Sequence, residues 1–163
     1  MVNYTPSPRS SRVAIRTLLS ILFITLTGVG LSGCNTTVSL DAGPDANNPG
    51  CAAITVRVPD TIDSFHRRYT NAQSTAAWGS PSSILMRCGV TPIGPTTKPC
   101  VSVNNIDWVL VSDPEAETAV YITFGRNPAT EVIIDHKQGA SDAAVLPALA
   151  PAIASVERTT QCE

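Results

Sequence analysis

No aspartate or glutamate occurs before Asp41, and the only charged side chains in that stretch are Arg9, Arg12 and Arg16. Long hydrophobic runs are missing as well. The apolar stretch between Leu18 and Leu31 is interrupted by Thr and Gly, and it falls short of the ~20 residues that a comfortable transmembrane helix needs. An acid-free, Arg-bearing start followed by a short apolar stretch reads as an export signal, not a membrane span. Lysine and arginine are never concentrated. Arg67-Arg68 is the only adjacent basic pair, and the eight basic residues after Cys34 face all 13 acids, a net charge of about −5. Phosphate backbones require clustered cations, so nucleic acid is excluded as a partner.

The usual catalytic signatures are also lacking. There is no Gly-x-Ser-x-Gly elbow, no His-Glu-x-x-His, no Cys-x-x-Cys and no Gly-rich phosphate loop. Only two histidines exist, His66 and His136. His66, beside two arginines, reads as an exposed helix residue. His136 follows Asp135 and supplies half of a catalytic triad, but no serine sits in a matching setting. Asp41 and Asp45 lack the spacing of a calcium loop. Nothing calls for a cofactor or a metal.

What is present begins with Leu31-Ser32-Gly33-Cys34, the cut site of a lipoprotein signal peptide. Residues 1–33 are therefore expected to be removed. The thiol of Cys34 is expected to take a diacylglycerol, with palmitate-type acylation, and to hold the protein on the outer face of the cell membrane. The remaining 130 residues suffice for one domain. Residues 34–50, rich in Asn, Asp, Gly and Pro, read as a flexible tether of roughly 50 Å reach, and residues 51–163 as the folded unit.

Four further cysteines, Cys51, Cys88, Cys100 and Cys162, are an even number in an exported chain and read as two disulfides. Their spacing fits no common zinc finger. The loop between Cys88 and Cys100 holds three prolines and two glycines, so a Cys88–Cys100 bond is expected to close it, leaving Cys51–Cys162 to join the domain ends.

Along the folded unit, Ala52–Val58 alternates as a strand would. Asp60 or Thr61 offers a helix cap, with Ile62, Phe65 and Tyr69 on one face of a short helix, and residues 72–78 suit another helical turn. Residues 101–103 and 106–111 flank Asn104-Asn105, a hairpin turn pair. Residues 118–124 and 131–135 read as strands. Leu146, Leu149, Ile153 and Val156 mark a final helix over 143–158, with Pro147 and Pro151 expected to delay its start or kink it. The resulting fold class is α+β, a two-layer sandwich of an antiparallel sheet with two or three helices on one face.

Arg126, between Gly125 and Asn127-Pro128, either locks the fold onto a carboxylate such as Asp107 or Glu131 or contacts a ligand. Trp78 and Trp108 either fill the core or line a groove. Two function classes compete with a non-catalytic binding or accessory module: a small envelope hydrolase using His136 and Asp135, and a scaffold lipoprotein engaging an envelope partner.

The chain resembles an uncharacterised actinobacterial family of secreted or lipid-anchored proteins, a domain of unknown function. The resemblance is carried by residues 76–81 (AAWGSP), 85–90 (LMRCGV), 95–100 (PTTKPC), 106–108 (IDW) and 123–128 (TFGRNP), together with Cys162. It implies an actinobacterial envelope location and fits the four-cysteine framework. It brings no activity, cofactor or site residue.

Overall fold

Turn residues determine where the sheet begins. In the computed structural model, which describes residues 37–162, Asp63 takes a left-handed φ of 50°. A short polar residue tolerates that conformation. Strand β1 (Thr61–Ile62) therefore folds straight back onto β2 (Phe65–Arg68), pairing Ile62 with Phe65 and Thr61 with His66. Six more strands follow: β3 (Thr75–Trp78), β4 (Ile84–Val90), β5 (Cys100–Val103), β6 (Ile106–Leu110), β7 (Thr118–Thr123) and β8 (Ala129–Asp135). They form one eight-stranded sheet in the order β1-β2-β3-β4-β8-β7-β6-β5 with every pairing antiparallel. The β5–β6 turn is Asn104-Asn105, both at positive φ, as a two-residue hairpin requires.

Among the described residues, two α-helices accompany the sheet: α1 (Pro49–Thr55) and α2 (Asp142–Ile153), the latter preceded by a 3-10 turn at His136–Gln138. Helix α2 touches β1, β5 and β8, that is, both edges of the sheet and its middle. The sheet thus curls about this helix. Leu146, Leu149 and Ile153 of α2 join Trp78, Ile84, Met86, Trp108 and Val132 in a single core.

The expected two-layer sandwich is corrected by this architecture. The protein is sheet-dominated, and the helix expected after Asp60 and the helical turn expected at 72–78 are strands β1, β2 and β3. Ile62, Phe65 and Tyr69 have helical spacing, yet the turn at Asp63-Ser64 reverses the chain, and Tyr69 is 77% exposed. Conversely, the strand expected at Ala52–Val58 is mostly helix α1. Asn48 caps it by accepting from the Gly50 amide at 3.0 Å, and Pro49 begins it. Cys51, Ile54 and Val58 are buried at helical spacing, whereas Val56 points outward. Helix α2 begins at Asp142 and continues through both Pro147 and Pro151. Burial of Val145, Leu146, Leu149, Ala150, Ala152 and Ile153 offsets the two missing backbone donors.

The disulfides are Cys51–Cys88 and Cys100–Cys162, with Cα separations of 5.5 and 6.5 Å. Both expected pairings are therefore wrong. Cys88 lies on β4 in mid-sheet and Cys100 on the edge strand β5, with β8, β7 and β6 between them. The loop joining them crosses the sheet, so its ends never meet. Cys88 instead ties β4 to α1, and Cys100 ties the edge to the C-terminal segment.

The described part of the expected tether is folded. Val38 bridges to Thr70, the Asp45 amide donates to the Gly89 carbonyl at 2.9 Å, and Ser74 Oγ donates to the Ala46 carbonyl at 2.7 Å. Gly43 lies against the backbone of Cys88 and Gly89, and Gly89 (φ 80°) against that of Asp45 and Ala46, at the irregularity in β4. A side chain at either glycine would collide with backbone. The folded unit accordingly includes residues 38–46 and does not start at Cys51. Cys34 and the signal segment lie outside the described residues.

Candidate functional site

An open groove of about 560 Å³ lies beside β2, within the size range of small-ligand sites. Arg67, Arg68, Tyr69 and Thr70 form one wall, Ser74 and Thr75 another, and Thr55 and Asp60 close it from the side of α1. Strand pairing fixes the arginines: Arg67 sits opposite Trp78 and Arg68 opposite Ala77, and the Arg67 amide donates to the Asp60 carbonyl at 2.8 Å.

Charge accounting singles out one residue. Arg87 pairs with Glu131, Lys137 with Glu117, and Arg158 with Asp107. Arg57, Arg68, Lys98 and Arg126 donate to the carbonyls of Ala53, Gly79, Val111 and Val156. Among the described cationic side chains, Arg67 alone has neither an ion pair nor a hydrogen bond. Asp60 lines the same groove without pairing to it. The hydroxyl protons nearby are committed: Thr55 donates to the Cys51 carbonyl, Ser74 to that of Ala46, Thr70 to that of Thr75, and Thr75 toward Ala72. The groove thus presents one uncompensated guanidinium, one carboxylate, the hydroxyl oxygens of Thr55 and Thr70, and the exposed ring of Tyr69, while Ser74 and Thr75 are buried.

The three residues expected as possible ligand contacts are all buried. Trp78 and Trp108 are fully enclosed in the core, and Trp78 Nε1 donates to the Pro59 carbonyl at 2.9 Å. Arg126 is 5% exposed. Its guanidinium donates to the carbonyl of Val156 and, at 3.2 Å, to that of Asn105. It thereby joins the C-terminal segment to the β5–β6 turn. Burial, then the like charge of Arg158, push its pKa below the ordinary value, with Asp107 opposing. Glu131 is not its partner; it holds Arg87 at 2.7 Å.

His136 is not paired with Asp135. The Asp135 carboxylate caps the 3-10 turn by accepting from the Lys137 amide at 3.0 Å. His136 Nε2 instead meets Asp142 Oδ1 at 2.8 Å, and Tyr121 donates its phenol to Asp142 Oδ2 at 2.7 Å. Desolvation first, then this bond, raise the Tyr121 pKa well above its usual value. No serine or threonine hydroxyl bonds to His136 among the described residues. The trio joins the start of α2 to the sheet, where a carboxylate in the first turn also favours the helix dipole.

The groove residues were within reach of the sequence. Reading Asp63-Ser64 as a hairpin turn would have turned Arg67 and Tyr69 from helix positions into strand-end positions beside Asp60.

Against known proteins, a family model described as "Protein of unknown function (DUF3515)" matches residues 13–161. No curated protein and no solved structure matches the chain.

Proposed function

The chain belongs to this family of unknown function, and we propose that it is a lipid-anchored protein of the cell envelope that binds a ligand without catalysing a reaction on it. The observation that carries the binding reading is the groove beside β2, where Arg67 is left uncompensated in a chain whose other described cations are engaged. Two disulfides agree with an oxidising, extracytoplasmic compartment. Among the described residues, no helix is long and apolar enough to cross a membrane. Attachment therefore rests on Leu31-Ser32-Gly33-Cys34, and the actinobacterial setting on the sequence resemblance. The hydrolase alternative loses its dyad, because Asp135 serves as a cap and His136 bonds Asp142.

Two measurements test the proposal. Cys34→Ala is expected to move the protein from the membrane fraction to a soluble or uncleaved form; an unchanged fraction with no acyl mass on the N-terminal peptide refutes anchoring. Protease-treated envelope material is expected to retain the detergent-solubilised wild-type protein and to release the Arg67→Gln variant. Failure to retain the wild type refutes the binding reading.

A further inference from the structure

Resting on that binding reading, we infer that the groove beside β2 takes an acidic glycan, a sugar chain bearing single carboxylates such as uronate residues. The argument starts from donors and acceptors. The free donors among the lining side chains are the Tyr69 phenol and the Arg67 guanidinium, the latter a planar fork matched to a carboxylate. Acceptors are the Asp60 carboxylate and the lone pairs of Thr55 and Thr70, whose protons are already spent inside the protein, while Ser74 and Thr75 are buried. A complementary ligand brings one anionic group and several hydroxyl donors. A sugar ring with a carboxylate has that composition.

Charge sets the count. Arg67 is the one lining guanidinium with no ion pair or side-chain hydrogen bond, and Asp60 lines the same groove. This matches a monoanionic carboxylate and disfavours a phosphate dianion, which Asp60 would repel. Tyr69, 77% exposed at the wall, offers an amphipathic ring against which the apolar face of a pyranose can lie. The volume of about 560 Å³ accommodates one or two such rings, and an open groove lets a chain continue beyond them.

The test is calorimetric titration of the full-length, disulfide-intact protein in detergent with trigalacturonic acid, its methyl ester and inorganic phosphate. Saturable binding of the acid is expected, at least tenfold weaker for the methyl ester and for Arg67→Gln, and weaker for Tyr69→Ala. Lys98→Gln, in a separate groove near Cys100, should bind like the wild type. Arg67 has no internal partner, so Arg67→Gln should keep the wild-type melting temperature, and Arg67→Lys gives a second folded variant. Equal binding of acid and ester, an undiminished Arg67→Gln, or phosphate preferred over the uronate overturns the inference. If envelope material is retained through Arg67 while trigalacturonic acid fails to bind, the glycan assignment falls and the binding reading stands. If neither is retained, both fall.

Discussion

Arg126 and Arg67 show how differently one residue type is used within a single small fold. Arg126 is sealed among carbonyls, so Arg126→Ala strands the Val156 and Asn105 acceptors. The expected loss is about 1–3 kcal/mol, read as a drop of several degrees in melting temperature; an unmoved melting temperature would contradict the lock. Tyr121 supplies a pH signature. Its neutral phenol is favoured in the folded state, so its contribution is fully present below about pH 10 and is lost as pH climbs toward the raised folded value. Denaturant unfolding across this alkaline range should show a steeper loss of stability for the wild type than for Tyr121→Phe. Parallel curves would count against the Tyr121–Asp142 bond.

At the scale of elements, the sequence was legible wherever local chemistry and tertiary demand agreed. Asn104-Asn105 turned as expected, strands β6, β7 and β8 lie close to where the sequence reading put them, and α2 followed its apolar period. The failures cluster between residues 37 and 80. There a seven-residue helix alternated like a strand, and short strands carried helical spacing. Periodicity over seven residues cannot separate the two, so capping by Asn48 and the turn at Asp63 decided the outcome. Disulfide pairing was illegible for a different reason. It depends on strand order, and the chain passes from β4 to the far edge at β5 before filling the space between. Non-reducing peptide mapping of exported protein should recover Cys51–Cys88 and Cys100–Cys162 peptides, and a Cys88–Cys100 peptide would contradict the sheet order. Each bond closes a loop worth about 4 kcal/mol in the unfolded chain, so losing either should unfold a marginal domain.

For the molecule as a whole, the candidate site was only half visible. The sequence offered Arg67-Arg68 as a lone basic pair and the tryptophans as either core or groove residues. The fold buried the tryptophans and left one arginine available. Burial is a property of the assembled sheet, not of any local pattern. The folding of residues 38–46 onto β3 and β4 has a geographic consequence. Val38 is bridged to Thr70, a groove residue, and only four peptide units separate Val38 from Cys34. Four extended units span at most about 14 Å. Were Cys34 lipidated, as proposed, that wall of the groove could not rise far above the headgroups; the protein would sample only the lowest storey of the envelope, and whatever it binds would have to come down to meet it.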